Sequence, residues 1–366
     1  MPSPARARQI ALDELKSSDL EGWAALAADA AEPNPFFEPE FVLAAARHLG
    51  EHDVSLLVVQ DAEHWLACLP VQTTRIARMM PGLRTWNHLY CFLGTPLLHP
   101  LDPAAAARSL LALAVGSGRL LALEGLGDGG PACEAVRHAA GALGLTAVTE
   151  AVHERALLKR RPDGDYLAAL RSHRRRELNR LGRRLEAELG AELSVTDLCD
   201  DPSSVDSFLE LERSGWKGRG DTALGSRGEH AKFFRSVCES FARDGRLQML
   251  ALSAGERTVA MKCNVYAGNG GFCFKIAYDE ELGRFSPGVQ LERENITRFH
   301  ENRPEAWQDS CADPENDMIN RLWPDRRRIF TTVLARPGAR AAVSRQGLKA
   351  AQVIRDMERK RSSPTS

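Results

Sequence analysis

The sequence predicts an α/β protein whose strands form a mixed sheet of α+β type, and it predicts two domains. In the first half, helical and extended stretches alternate along the chain. In the second half, three strands follow one another through short turns that contain glycine, which is typical of an antiparallel meander. The length of 366 residues exceeds what one hydrophobic core usually organises. Two domains are therefore expected.

Capping and turn residues delimit the elements of the first half. Asp102 and Pro103 supply an N-cap followed by proline at the first helical position, which predicts a helix starting there. The other predicted helices span residues 20–30, 39–48 and 131–143. The predicted strands span residues 54–59, 65–73, 89–93, 120–124 and 146–151.

The breaker segment Arg160-Arg-Pro-Asp-Gly164 marks the predicted domain boundary. Residues 1–160 are assigned to an N-terminal domain and residues 161–335 to a C-terminal domain. Residues 336–366 are predicted to form a basic helix and a polar tail.

The C-terminal domain is predicted to begin with an arginine-rich helix over residues 166–189. Its leucines recur at helical spacing, and the other faces carry the arginines between Arg171 and Arg184. The net charge of the whole chain is only −1, so a polyanionic partner would have to be met by this local patch. Three interpretations are open: a solvated face, a surface for a phosphate-rich substrate or a membrane, and a surface for RNA.

The remaining elements of the second half follow from the same signals. Asp201-Pro202 predicts a helix start, and Asp244-Gly245 predicts a helix end. The predicted helices span residues 202–215, 229–243 and 289–300. The predicted strands span residues 247–253, 259–266, 271–278 and 306–312.

Composition excludes several classes of protein. With 43% hydrophobic and 27% charged residues, the chain is too apolar to be disordered. Its eight cysteines form no C-x-x-C pair and have no nearby histidine cluster, so we expect reduced thiols and no metal. No apolar run is long enough to span a bilayer or to serve as a signal peptide core, and a cytoplasmic protein is expected.

The segment Ser286-Pro287-Gly288 is the first candidate binding site. A helix that starts at Pro287 offers unpaired backbone N–H groups and a positive dipole end, and Gly288 lets a phosphate approach the backbone closely. An ordinary helix start with proline at its first position has the same sequence. The meander before the segment and the strand after it favour ligand binding.

Two charged residues occupy positions where an apolar side chain is expected. Period-2 alternation over residues 271–278 puts Phe272, Phe274, Ile276 and Tyr278 on one face and leaves Lys275 as a charge within an apolar strand. Lys275 is a candidate to hold a phosphate or an acidic group, or a partner of a structural carboxylate. Glu212 falls on the apolar stripe of the helix over residues 202–215. It is a candidate general base, or a partner for Lys217 or an arginine.

The order of three antiparallel strands, loop, helix and strand resembles the core of the GNAT acyltransferases. Four segments resemble more closely the CelD/BioF-like branch of that superfamily, which is related to the FemAB ligases. They are Gly215-Trp-Lys-Gly218, Ala277-Tyr-Asp-Glu280, Ser286-Pro-Gly288 and Asp309-Ser-Cys-Ala-Asp313. The resemblance covers residues 166–333, and the N-terminal half looks like the second, degenerate GNAT-like lobe of such proteins.

The resemblance implies a donor site and an acceptor site in the C-terminal lobe. The pantetheine arm of acetyl-CoA or another acyl-CoA would pair with the backbone of Lys275, Ile276 and Ala277, and its phosphates would contact Arg284, Ser286, Pro287 and Gly288. The family loop usually has two glycines and a polar residue, whereas the loop here is longer. Four residues would bind the acceptor: Trp216, Lys217, Tyr278 and Asp279.

Two further residues are assigned to chemistry. Asp309 lies on the strand after the helix, where the acceptor reaches the splayed strands of this fold, and would orient or deprotonate the nucleophile. Cys311 is a possible acyl-transfer nucleophile, but no histidine is placed by sequence to activate it. Direct attack of the acceptor on the thioester is the simpler mechanism.

The predicted function is transfer of an acyl group, in the simplest case acetyl, from acyl-CoA to an amine or hydroxyl. The resemblance suggests an amino-sugar or a cell-surface polysaccharide precursor as acceptor. One alternative is a FemAB-like ligase that takes its donor from aminoacyl-tRNA, the only interpretation that requires a nucleic acid. Another is a non-catalytic scaffold with the same fold. No membrane span is predicted, although the helix from Arg171 to Arg184 could contact a membrane surface.

Overall fold

The computed structural model describes residues 5–50, 53–62, 64–76, 80–161, 172–214, 224 and 228–337. The chain folds into two compact units. Of the described residues, the first unit holds those up to Glu154 and those from 328 to 337, and the second holds those between Arg155 and Arg327. The predicted basic helix at the C-terminus lies outside the described residues.

The described residues form thirteen strands and nine α-helices. The strands are β1 (Arg6–Ala11), β2 (Ser55–Gln60), β3 (Trp65–Ile76), β4 (Met80–Thr85), β5 (Leu97–Leu98), β6 (Leu120–Gly127), β7 (Thr146–Lys159), β8 (Leu193–Asp197), β9 (Leu247–Ala254), β10 (Arg257–Ala267), β11 (Gly270–Tyr278), β12 (Trp307–Asp309) and β13 (Asp325–Ala335). The helices are α1 (Ser17–Ala28), α2 (Pro39–His48), α3 (Pro103–Ala114), α4 (Pro131–Ala142), α5 (Ser172–Leu189), α6 (Ser204–Ser214), α7 (Gly228–Arg243), α8 (Pro287–Asn302) and α9 (Asp317–Leu322).

The first unit is built on a mixed sheet with the order β1-β2-β3-β4-β6-β13. All neighbours in it are antiparallel except β4 and β6. The predicted start of α3 is confirmed, because the side chain of Asp102 accepts a hydrogen bond from the N–H of Ala105 at 2.9 Å. Helices α1 and α3 pack on this sheet.

The predicted strand at residues 89–93 is wrong. There the chain turns, with the N–H of Cys91 donating to the carbonyl of His88, and Leu89 is exposed while Leu93 is buried. A short apolar run does not distinguish a strand from a buried turn. The strand of this region is β4. It was not predicted from the sequence because it contains Pro81 and Gly82, two residue types that disfavour strands.

The second unit has the sheet order β7-β12-β11-β10-β9-β8. The meander β9-β10-β11 is antiparallel, as predicted, whereas β12 runs parallel to β11. Helices α7 and α8 cover opposite faces of it. Adjacent residues of β10 show this, since Cys263 contacts Cys238 of α7 and Lys262 contacts Glu292 of α8. Strand β8, which was not predicted from the sequence, extends the sheet beyond β9.

A β-bulge interrupts the pairing of β10 with β11. Cys263 lies opposite Lys275 and Asn264 lies opposite Cys273, so Phe274 is the extra residue. The predicted alternation of faces along β11 is therefore wrong beyond this point. Phe274 stacks on Phe234 of α7 with ring centroids 5.7 Å apart.

Strand β12 is shorter than predicted and pairs with β11 over three residues only. The last pair joins Phe272 to Asp309, and β11 then continues to Tyr278. Beyond Asp309 the chain turns through Cys311, whose φ of +50° lies in the left-handed region. The two parallel strands therefore part at Asp309. Among the described residues, no helix has the length and apolar character needed to cross a membrane.

Candidate functional site

The candidate site is the fork where β11 and β12 part, together with the start of α8. One arm of the fork is the end of β11, with Lys275, Ile276 and Ala277. Lys275 and Ile276 are half-buried and Ala277 is buried. The bulge at Phe274 disrupts the regular ladder at the base of this arm, a feature common next to binding sites.

The loop that connects β11 to α8 is a short 3-10 helix over Glu280–Phe285. The carboxylate of Asp279 caps it by accepting from the N–H of Glu281 at 3.0 Å, and it also pairs with Arg257 at 2.6 Å. Ser286 then adopts φ +56° and ψ +54°, and the chain turns into α8. Asp279 thus has a clear role in holding this loop.

Gly288, in the first turn of α8, lies close to the end of β11. A Cβ atom placed there would lie 3.4 Å from Cδ1 of Tyr278 and 3.8 Å from Cδ1 of Ile276. Pro287 has no N–H, and the N–H of Gly288 has no acceptor within the part of the chain that the structure describes. Of the predicted donor residues, Ile276 of β11 and Gly288 of α8 therefore lie close together.

Arg284 is engaged by its surroundings. Its guanidinium pairs with Glu188 of α5 at 2.6 Å and lies over the ring of Phe285 at 4.6 Å. Arg184 of α5 lies over the same ring at 5.7 Å. Two guanidinium groups thus stand beside the residue that precedes Ser286.

Glu212 is buried on α6, a helix that packs against β10 and β11. Its Oε2 accepts a hydrogen bond from the N–H of Leu224 at 2.8 Å. A buried carboxylate with a backbone donor is held in a fixed orientation. The predicted acceptor residues Trp216 and Lys217 lie outside the described residues.

Asp309 forms the other arm of the fork and is fully buried between two arginines. Arg155 of β7 contacts both of its oxygens, at 2.6 and 2.7 Å, and Arg327 of β13 contacts Oδ2 at 3.1 Å. The N–H of Cys311 donates to Oδ1 at 3.0 Å. Burial alone would raise the pKa of Asp309, but the two guanidinium groups outweigh it and hold this pKa below its ordinary value.

A buried polar network under α8 was not predicted from the sequence. Nζ of Lys262 lies 2.8 Å from Oε2 of Glu292, and both side chains are at most 4% exposed. Oε1 of Glu292 accepts from the indole N–H of Trp323 at 3.0 Å and from the amide of Asn295 at 2.9 Å. Lysine within the apolar strand sequence Ala260-Met-Lys-Cys263 was the signal for this network, comparable to that of Lys275.

The thiols near the fork are not activated. Burial raises the pKa of Cys273 to about 12 and raises that of Cys311 well above its usual range. Within the described residues, no cluster of histidine, cysteine and acidic side chains is arranged to hold a metal ion.

A pocket of about 250 Å³ lies in the first unit between α4 and β13. Its lining includes the apolar side chains of Leu126, Val136 and Phe330 and the charged side chains of Asp128 and Arg137. None of the predicted site residues that the structure describes lines it.

Comparisons with known proteins agree with this architecture. Residues 172–306 match the family model of an acetyltransferase (GNAT) domain. No curated protein sequence matches the chain.

Three solved structures are similar over most of their length. FemX has a TM-score of 0.58 at 8% identity, covering 94% of this chain and 99% of FemX. A protein of unknown function from Bacteroides thetaiotaomicron VPI-5482 has a TM-score of 0.55 at 10% identity, covering 88% and 97%. The C-terminal domain of an Agrobacterium fabrum protein described as a lysylphosphatidylglycerol synthetase has a TM-score of 0.52 at 13% identity, covering 92% and 97%. The fold of the chain is therefore similar to that of GNAT acetyltransferases and of FemX, and the predicted GNAT-like fold and mixed α/β class are confirmed.

Proposed function

We propose that the second unit transfers an acyl group, in the simplest case acetyl, from an acyl-CoA thioester to an amine or hydroxyl acceptor. The observation that carries this proposal is the fork. Strands β11 and β12 part after the pair Phe272–Asp309. Gly288 at the start of α8 lies close to the end of β11 that no longer pairs with β12. The match of residues 172–306 to a GNAT acetyltransferase domain supports it.

The donor fits the fork through its peptide-like arm and its phosphates. The pantetheine amides would add as a strand alongside Lys275, Ile276 and Ala277. The pyrophosphate would lie at the N-terminus of α8, near Ser286 and the N–H of Gly288, where the helix dipole favours an anion. Arg284 would reach it only by leaving Glu188, to which it is paired at 2.6 Å.

The transfer step is a direct attack on the thioester. The acceptor nitrogen or oxygen bonds to the thioester carbonyl carbon, the C–S bond breaks, and CoA leaves as a thiolate that takes up a proton. We assign Glu212 as the base that removes the proton from the acceptor, because it is buried and held in orientation by Leu224. Backbone N–H groups of β11 would stabilise the oxyanion. The raised pKa of Cys311 supports direct attack rather than an acyl-enzyme.

We assign Asp309 a positioning role. Its two oxygens are occupied by Arg155, Arg327 and the N–H of Cys311, so it fixes the arm of the fork along which the acceptor would enter. Tyr278, 37% exposed at the mouth of the fork, would line the acceptor path. The acceptor class suggested by the family resemblance is an amino-sugar or a polysaccharide precursor.

A second candidate is transfer from aminoacyl-tRNA, as in FemAB-like ligases. The fold similarity to FemX favours it. The two candidates differ in the donor, so a donor-binding measurement separates them. A scaffold without chemistry would bind neither donor.

Calorimetric titration of acetyl-CoA into the full chain tests the proposal. We expect binding that weakens about 10- to 100-fold in Gly288→Leu, because the added side chain keeps the phosphate from the backbone N–H. Gly228→Leu is the matched control, since Gly228 also starts a helix, α7, and no described residue beyond its chain neighbours and the α7 backbone lies within 4 Å of its Cβ position.

Absence of binding by the unmodified chain, or equal loss in both glycine variants, would contradict an acyl-CoA donor. Thermal unfolding of each variant shows whether the fold is retained.

A further inference from the structure

The exposed face of α5 carries a row of arginines that the proposed chemistry does not use. Arg176, Arg180 and Arg183 are exposed, whereas Leu178 and Leu185 on the opposite side are fully buried against the second unit. The apolar stripe of α5 is therefore used for packing, and its outward face is basic. We call Arg176, Arg180, Arg183 and Arg184 the arginine row.

The arginine row is a local excess of positive charge. Residues 172–189 contain six arginines and three glutamates, a net charge of +3 with histidine neutral, whereas the whole chain has −1. Arg180 pairs with Glu177 at 2.7 Å. Arg176, Arg183 and Arg184 form no ion pair with the described residues, so none of the described carboxylates neutralises their charge.

The arginine row starts beside the proposed donor site. Arg184 lies over Phe285, the residue before Ser286, and Glu188 of the same helix pairs with Arg284. From Arg184 to Arg176 the helix rises by about 12 Å, at roughly 1.5 Å per residue. The phosphates of one CoA molecule at the start of α8 would lie near Arg184 and leave the far part of the row uncovered.

We propose that the arginine row docks an acidic carrier protein that delivers the acyl group on a phosphopantetheine arm. This inference rests on the proposed function, since a phosphopantetheine thioester has the same reacting group and the same arm as acyl-CoA. The arm would enter the fork with its phosphate at Gly288, and acidic side chains of the carrier would pair with Arg176, Arg180 and Arg183. The complementary charges would raise the association rate of the carrier and orient it on α5.

The composition of the face favours a protein over a membrane or an RNA. The leucines of α5 are turned toward the unit, so no apolar side chain of the row is left to enter a lipid surface. Residues 172–189 contain no phenylalanine, tyrosine or tryptophan on which single-stranded bases could stack. The arginine row therefore presents positively charged groups along a helix, which suits a partner with acidic side chains.

Binding of an acyl carrier protein in its phosphopantetheinylated form, measured in parallel with binding of CoA, tests this proposal. The variant is Arg176→Glu/Arg183→Glu, which keeps Arg184 next to the donor site. The matched control is Lys232→Glu, a charge reversal at an exposed position of α7. We expect carrier binding to fall at least tenfold in the double variant and to weaken at 0.3 M salt, while CoA affinity changes less than twofold in both variants.

Several results would overturn the proposal. In the first, the unmodified chain binds CoA but not the carrier. In the second, the double variant loses CoA affinity and carrier affinity equally. In the third, the double variant loses binding to tRNA or to anionic vesicles rather than to the carrier. If the carrier binds through α5 and CoA does not bind at all, the docking surface stands and the acyl-CoA donor fails. Circular dichroism of the double variant reports whether α5 stays helical.

Discussion

The buried ion pair between Lys262 and Glu292 gives a sharp test of how α8 is held on the sheet. The pair joins β10 to the second turn of α8, and its two side chains are at most 4% exposed. Lys262→Met removes the ammonium group and keeps most of the side-chain volume. Among the described residues, Glu292 would then be a buried carboxylate with Trp323 and Asn295 as its remaining donors.

The expected loss of unfolding free energy follows from these contacts. Removing one partner of a buried ion pair typically costs about 3–5 kcal/mol, because the other charge stays buried. Two remaining hydrogen bonds to the carboxylate offset part of this cost, so we expect about 3 kcal/mol for Lys262→Met. Lys262→Met/Glu292→Gln removes both charges and keeps an acceptor for Trp323 and Asn295. The double variant should therefore be more stable than Lys262→Met alone, by about 1–2 kcal/mol.

Urea unfolding followed by circular dichroism measures the free energies, and the NMR signal of the Trp323 indole N–H reports the local contact. Burial by itself would lower the pKa of Lys262. Cys273 and Glu292 raise this pKa by more than burial lowers it, so the pKa of Lys262 in the folded chain lies above the ordinary value of 10.5. The stabilisation is therefore fully present below pH 10.5 and is lost only as the pH rises through the folded pKa. A cost below about 1 kcal/mol for Lys262→Met, or a double variant less stable than Lys262→Met, would refute the reasoning.

Three further predictions concern other groups. Glu212→Gln should lower turnover at least tenfold with acetyl-CoA affinity unchanged, whereas the exposed Glu210→Gln on the same helix should change neither; unchanged turnover would remove Glu212 from the mechanism. Burial lowers the pKa of His88 from 6.5 to about 3. Between these two pH values His88 is protonated in the unfolded chain but neutral in the folded chain, so the free energy of unfolding should fall by roughly 4–5 kcal/mol from pH 6.5 to pH 3. In His88→Phe that part of the acid dependence should vanish, and a wild-type slope in the variant would contradict this origin. Asp309→Asn should cost about 3–5 kcal/mol in urea unfolding, since two buried guanidinium groups lose their counter-charge, and a neutral effect would show that Asp309 does not hold the fork.

Local signals in the sequence predicted the elements around the site well. Short turns with glycine define the meander β9-β10-β11, and Pro287 marks the start of α8, because both effects depend on neighbouring residues alone. Strand β4 was missed because Pro81 and Gly82 argue against a strand, and its pairing with β3 and β6 outweighs that local preference.

Contacts between distant residues could not be predicted from the sequence. The arginines on Asp309 come from positions 154 and 18 residues away, and no pattern around Asp309 points to them. The bulge at Phe274 is visible only in the register of two paired strands, and it moved Ile276 to the face opposite the one that carries Phe274. Trp216 and Lys217 keep their predicted role in acceptor binding as a proposal.

The most direct test of the donor site is a crystal structure of the chain with CoA bound. The proposal predicts the pantetheine arm along Lys275–Ala277 between β11 and β12, with a pyrophosphate oxygen within hydrogen-bond distance of the N–H of Gly288. CoA bound elsewhere, for example in the pocket between α4 and β13, with the fork unchanged, would contradict the account.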